Sequence, residues 1–106
     1  MNTRRIFVNC MLFRGSFSGE MVFSLDTIDN GEYVGIAPRR DTLRRTDERI
    51  EAEEALPESG IEGKLVARLI ANRGDIARVA LPDGEAVKVS VSEISEREPE
   101  IAHVSL

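Results

Sequence analysis

Residues 65–91 read LVARLIANRGDIARVALPDGEAVKVSV and decide the fold class. Side chains alternate with a period of two along three short runs, which is the period of a β-strand with one buried face. Turns separate the runs at Asn72-Arg73-Gly74-Asp75 and at Pro82-Asp83-Gly84. The stretch therefore predicts a three-stranded β-meander. One face of each strand is Leu65, Ala67, Leu69 and Ala71, then Ala77, Val79 and Leu81, then Val87, Val89 and Val91.

The first half of the chain follows the same plan. We predict strands over residues 5–12, 20–26 and 32–37, with a loop over 13–19 and a turn at Asp29-Asn30-Gly31. The more apolar face of the first strand should lie toward the core; it consists of Ile6, Val8, Cys10 and Leu12.

The two halves are also similar in their turns. Each has an Arg-Gly turn followed by an Asx-Gly-Glu turn, at Arg14-Gly15 and Asn30-Gly31-Glu32 and again at Arg73-Gly74 and Asp83-Gly84-Glu85. One reading is a duplicated three-stranded unit. The other, which we favour, is that any two β-meanders use such turns.

The middle of the chain has a different composition. Residues 38–62 are rich in charge, and we predict a mobile polar linker with at most one or two helical turns between Thr46 and Leu56. The chain then reads as a single small β domain over 1–106. It comprises a first meander at 5–37, the linker at 38–62, a second meander at 63–94, and a tail at 95–106 with a short strand at 101–106.

Size and composition favour one folded domain. The chain has 106 residues, of which 42% are hydrophobic, which is enough for a packed interior. The net charge is −5, because residues 1–45 carry +2 and residues 46–106 carry −7. A net acidic domain repels a phosphate backbone at long range, which disfavours nucleic acid as a partner but leaves room for a local basic patch.

The single cysteine, Cys10, suits a reducing compartment, and its place on the apolar face predicts a buried, structural thiol. The apolar run near the N-terminus is too short and too interrupted for a signal peptide, and no run is long enough to cross a membrane. We therefore expect a cytoplasmic protein.

The residues predict neither a catalytic site nor a cofactor or metal site. Gly15-Ser16-Phe17-Ser18-Gly19 is not a nucleophile elbow, because Phe17 stands where the motif needs serine. The single histidine, His103, has only Glu98 and Glu100 nearby, which is a poor set of zinc ligands. We expect a protein that is not an enzyme.

Two regions are candidates for binding. The Arg14–Glu20 loop presents Ser16 and Phe17, and the chain's basic cluster consists of Arg39, Arg40, Arg44 and Arg45. The cluster could bind phosphates or an acidic partner, but no aromatic residue is interleaved for base stacking. Acidic residues follow it directly, so a solvated linker is the more ordinary interpretation.

Residues 61–94 resemble part of an SH3-like small β-barrel. The resemblance is carried by Val66-Ala67-Arg68, the Arg73-Gly74-Asp75 turn, the run from Val79 to Gly84, and the Val87-Val89-Val91 strand. It implies an all-β fold, either an SH3-like barrel or a β-meander sandwich built from two three-stranded units. Such barrels commonly act as adaptors for proteins or RNA, which implies binding rather than catalysis.

The sequence thus predicts a non-enzymatic binding or assembly module whose ligand is a protein partner or a second copy. The alternative is an RNA-associated small barrel that uses the Arg39–Arg45 cluster together with Arg4, Arg5 and Arg14.

Overall fold

The protein is an all-β structure, as the sequence predicts. A computed structural model describes residues 4–96, and this part of the chain contains no α-helix. Its strands are β1 (Arg4–Arg14), β2 (Glu20–Thr27), β3 (Gly31–Pro38), β4 (Thr42–Arg44), β5 (Ile61–Arg73), β6 (Ile76–Ala80), β7 (Ala86–Ser90) and β8 (Ile94–Ser95). Two 3-10 turns occur at Arg39–Asp41 and Val91–Glu93.

Both predicted meanders form, and they share one antiparallel sheet. The strand order is β3-β2-β1-β5-β6-β7, so each meander supplies three consecutive strands and β1 pairs with β5 at the centre. The sheet curls into a half-barrel with its apolar residues on the inner face. The three-stranded units predicted from side-chain alternation are therefore the two halves of a continuous sheet.

The long central strands give the sheet its curl. β1 pairs with β5 along one edge, from Arg4 opposite Leu69 to Leu12 opposite Ile61, while its other edge is divided between β2 and β8. β5 repeats the arrangement, because its other edge is divided between β4 and β6. Each long strand thus pairs with different neighbours along its length. Such strands let a sheet bend and begin to close into a small barrel.

The core lies on the inner face and differs in composition between the meanders. Phe23, in β2, is the largest fully buried side chain, and Met21 and Leu25 flank it. The second meander contributes small aliphatic residues such as Ala77, Val79 and Val89. The apolar face predicted for β1 is confirmed, because its four residues, Ile6, Val8, Cys10 and Leu12, are all buried.

The open side of the half-barrel is partly closed by contacts between the two meanders. The Ile28 amide donates to the carbonyl oxygen of Lys88 at 2.9 Å, and the Tyr33 hydroxyl donates to Asp83 Oδ2 at 2.5 Å. A Cβ on Gly35 would lie 2.6 Å from both the Asp83 carboxylate and the Phe23 ring. The turn at residues 82–84 therefore packs closely over the inner face of β3, and glycine at position 35 makes this possible.

One detail of the predicted alternation is wrong. The register between β5 and β6 shifts between Leu69 and Ala71, so Ile70 is the extra residue of a β-bulge. Ala71 consequently pairs with Arg78 on the outer face and does not share the inner face with Leu65. A bulge adds one residue to one strand, which reverses the side-chain alternation beyond it.

The segment between the meanders packs against the sheet. Residues 46–56, where the sequence allowed a short helix, form turns and irregular structure and contain no helix. The segment instead includes β4, in which Thr42 and Leu43 are buried, and it places Ile50 in the core. The predicted terminal strand at 101–106 and His103 lie outside the described residues.

Candidate binding surface

The two candidate regions from the sequence lie side by side. The Arg39 amide donates to the carbonyl oxygen of Gly19 at 2.8 Å, and the Arg39 Nε donates to that of Ser18 at 3.3 Å. Arg14, Phe17 and Arg39 line the same narrow crevice. The 15–19 loop and the start of the basic cluster thus form one surface at the end of β3, because Glu20 and Pro38 are opposite residues in the β2–β3 pair.

Three arginines bind residues 50–54 of the middle segment. Arg14 Nη1 donates to the carbonyl oxygen of Glu54 at 2.7 Å, and Arg39 Nη1 donates to that of Ile50 at 3.0 Å. Arg44 forms an ion pair with the Glu54 carboxylate. Since Ile50 is buried in the core, these arginines hold the turn that carries it.

Arg45 has a similar internal role. Its Nε donates to the carbonyl oxygen of Gly63 at 3.0 Å, and its Nη2 donates to that of Cys10 at 3.2 Å. Both acceptors lie in the paired region of β1 and β5, since Cys10 and Gly63 are opposite residues. Of the four arginines in the predicted cluster, Arg40 is exposed and the other three are half-buried.

The 15–19 loop has exposed side chains at its tip. Ser16 is exposed, and Phe17 is the most exposed large apolar residue of the described chain, with 71% of its surface accessible. The loop closes with the Glu20 amide donating to the carbonyl oxygen of Phe17 at 3.1 Å. Phe17 is therefore displayed at the tip of an ordered turn.

A further apolar surface, which the sequence analysis did not single out, lies on β3. Val34 and Ile36 project from its outer face and are 55% and 52% exposed. Ile36 is opposite Val22 in β2, and Val22 is opposite Phe13 in β1, so the apolar stripe continues inward across the sheet. The signal was present in the sequence, because this strand is apolar on both faces.

β3 is also an edge strand. It pairs with β2 along its whole length, and within residues 4–96 no backbone hydrogen bond joins it to another strand. An edge strand presents a row of unpaired amide and carbonyl groups that can template another strand. Within the described residues, exposed valine and isoleucine thus lie beside an unpaired strand edge.

A pocket of about 260 Å³ lies between β1 and β2 and is lined by both polar and apolar side chains. Its side chains bind one another: Asn9 Nδ2 donates to Glu93 Oε1 at 3.2 Å, and the Ser24 hydroxyl donates to Glu32. Arg45 lines the same pocket and supplies positive charge. The polar side chains thus include two separate hydrogen-bonded pairs, Asn9 with Glu93 and Ser24 with Glu32.

Cys10 is buried, as predicted, and burial raises its thiol pKa to about 12. A thiol with this pKa holds almost no reactive thiolate at neutral pH. Among residues 4–96 no group of three or more His, Cys, Asp or Glu side chains is placed to hold a metal ion. The same part of the chain contains no helix with the length and hydrophobicity needed to cross a bilayer.

Comparison of the chain with protein-family models, with curated proteins and with solved structures finds no match.

Proposed function

We propose that this chain is a non-enzymatic protein-binding module that assembles with a second copy through the free edge of β3. The observation that carries the proposal is that an eight-residue edge strand has Val34 and Ile36 exposed on its outer face. Strand addition at a sheet edge is a recurring mode of recognition, in which main-chain hydrogen bonds supply affinity and alternate side chains supply specificity.

The composition of β3 supports a docking role. Natural proteins protect their edge strands with lysine, proline, bulges or short length. β3 has no lysine, and its proline, Pro38, stands at its last position. Glu32 is its single charged residue, and Ser24 of the neighbouring strand donates a hydrogen bond to it. The edge thus has little protection against pairing.

A second copy suits this edge. If two β3 strands pair antiparallel about Gly35, Val34 of each copy stands opposite Ile36 of the other. In the same register Glu32 is opposite Pro38, which Arg39 and Arg40 follow in sequence. Direct cross-strand pairs of apolar or oppositely charged residues stabilise a sheet, whereas directly opposed like charges destabilise it. This register therefore joins apolar residues and keeps the two Glu32 carboxylates apart.

The candidate residues from the sequence lie at the end of this edge. The loop with Ser16 and Phe17 adjoins Pro38 through the hydrogen bond from Arg39 to Gly19. We propose that Phe17 and Arg40 extend the contact, while Arg14, Arg39, Arg44 and Arg45 support it by fixing the segment behind it.

The resemblance of residues 61–94 to SH3-like barrels supports this role by fold analogy only, since such barrels often act as adaptors. We propose a cytoplasmic location, because the one cysteine suits a reducing compartment. RNA binding through the Arg39–Arg45 cluster receives less support, because the side chains of Arg39, Arg44 and Arg45 already bind groups of the same chain.

Sedimentation across a protein concentration series tests the proposal. A single strand edge buries less area than a standard interface, so we expect a weak dimer that forms as concentration rises. Val34→Lys places a charge on the docking face and should keep the protein monomeric. Ile28→Lys is the matched control, because Ile28 is also an exposed apolar residue, at 45%, and lies in the turn before β3. It should associate like the unmodified protein.

A wild-type protein that stays monomeric at the highest concentration would contradict the proposal. So would a Val34→Lys variant that associates as strongly as the wild type. Phe17→Ser tests the loop separately, and we expect it to weaken association less than Val34→Lys does.

A further inference from the structure

The outer face of the second meander carries a patch of positive charge. We define this basic face by Arg68, Arg73, Arg78 and Lys88, which lie on three neighbouring strands. The strand register brings them together: Arg78 is directly opposite Lys88, while Arg68 and Arg73 are opposite Ala80 and Ile76. In the sequence these cations are five or more positions apart, so their proximity results from the fold.

The β-bulge contributes to this arrangement. Without the extra residue at Ile70, Arg73 would continue the alternation of Leu69 and lie on the inner side of the sheet. With the bulge it is opposite Ile76 and shares the outer face with Arg78. Bulges commonly redirect a side chain in this way, and they are over-represented next to functional sites. The irregularity in β5 thus adds a cation to the basic face.

The basic face contains a charge contact that opposes folding. Arg78 stands directly opposite Lys88. Like charges in such positions destabilise a sheet. Within residues 4–96, Asp29 is the one acidic residue paired with this face, 3.4 Å from Lys88. Exposed positions could hold neutral residues without harm to the core, so the repulsion indicates selection for an anionic ligand.

The shape of the face indicates an extended ligand. Small side chains, Ala71, Ala80 and Ala86, lie between the cations, and the residues Ala71, Asn72, Arg73, Ile76, Arg78 and Lys88 line an open depression. No aromatic residue occurs in β5, β6 or β7, so the face has no platform on which a base could stack. Phosphate contacts alone position a nucleic acid without reading its sequence.

We propose that the basic face binds the phosphate backbone of a nucleic-acid duplex, independently of base sequence. The net charge of −5 is partly offset, because two carboxylates of the middle segment pair with cations that lie outside the basic face. Glu54 pairs with Arg44, and Asp47 pairs with Lys64. The face is separate from the β3 edge, so each site can be disabled without the other.

Fluorescence anisotropy with a labelled 16-base-pair RNA duplex tests the proposal. The slope of log affinity against log salt should be about −0.9 per phosphate contact. Three to four contacts therefore predict a loss of about 40- to 150-fold between 50 and 200 mM salt. Two duplexes of unrelated sequence should bind equally.

Arg78→Gln and Arg49→Gln provide a matched pair, because each removes one exposed positive charge and only Arg78 lies on the basic face. Arg78→Gln should weaken binding at 50 mM salt about tenfold and make the salt slope shallower by about 1. Arg49→Gln should change affinity less than twofold. Circular dichroism and thermal unfolding of both variants verify that each is folded.

Three results would overturn the proposal. The first is no binding of the duplex at 50 mM salt. The second is equal weakening by Arg78→Gln and Arg49→Gln, which would show a general charge effect. The third is binding of polyglutamate that depends on Arg78 while the RNA duplex fails to bind, which would assign the face to an acidic polypeptide.

Discussion

The two meanders have the same three-stranded plan but present opposite surfaces. The first, β1–β3, contains all the aromatic residues and ends in a free edge with Val34 and Ile36 exposed. The second, β5–β7, is built from small aliphatic residues and displays cations. In each meander the inward residues determine the strands. The outward residues, which the core does not constrain, determine what each half can bind.

The largest expected difference concerns the two halves of the core. Phe23→Ala should lower the free energy of unfolding by about 3–5 kcal/mol, because Phe23 is fully buried and its removal leaves a large cavity. Val89→Ala, at an equally buried site in the second meander, should cost about 2 kcal/mol, since it removes only two methyl groups. Urea unfolding measures both. Equal losses would contradict the view that the aromatic half dominates the core.

The next prediction concerns the packing around Gly63, in the paired region of β1 and β5 where the meanders join. A Cβ on Gly63 would lie 2.3 Å from Leu12 Cδ1 and 2.7 Å from the carbonyl oxygen of Leu43. Gly63→Ala should therefore overpack this region and lower the free energy of unfolding by about 1–3 kcal/mol. Gly19→Ala is the control, because a Cβ there meets nothing within 4 Å. Similar unfolding midpoints for the two variants would refute the close packing around Gly63.

Cys10 gives a prediction about pH. Burial raises the pKa of its thiol from 9.0 to about 12, so the folded chain keeps a proton that the unfolded chain loses. The contribution of the protonated thiol to the free energy of unfolding is fully present below pH 9. It falls as pH rises toward 12, with a slope of about 1.4 kcal/mol per pH unit. Cys10→Ala should remove this group's contribution to the pH dependence of the free energy of unfolding, measured by urea unfolding between pH 9 and 10. An unchanged slope would show that the thiol is not responsible.

The smallest effect concerns repulsion on the basic face. Arg78→Gln should raise the free energy of unfolding by about 0.2–1 kcal/mol, because it removes a like-charge pair with Lys88. Thermal unfolding at low salt measures this change, and added salt should diminish it. A loss of stability would mean that Arg78 supports the sheet, which would weaken the argument that it is kept for binding.

Much of the fold could be predicted from side-chain alternation. The period of two located all six strands of the two meanders, and the Asp29-Asn30-Gly31 sequence located a turn in which Gly31 has φ +71°. The strands β4 and β8 could not be found in this way. They have three and two residues, and such short strands are defined by their partners rather than by a local pattern.

The candidate site was less predictable. A run of arginines suggested a solvated cluster, but only the fold shows that Arg45 binds carbonyl groups of the paired strands β1 and β5. The basic face had no signal as a motif, because Arg68, Arg78 and Lys88 are gathered by strand register and by a bulge. Local sequence indicates which residues face outward in a strand but not which outward residues become neighbours.

The central claim is that β3 is the edge at which copies join, and the contrast with β7 at the other end of the sheet tests it. Hydrogen–deuterium exchange, followed as protein concentration rises, reports protection of individual backbone amides. We predict that protection increases within residues 32–37 and stays constant within residues 86–90. Protection that is independent of concentration in β3, or that increases in β7 alone, would contradict the account.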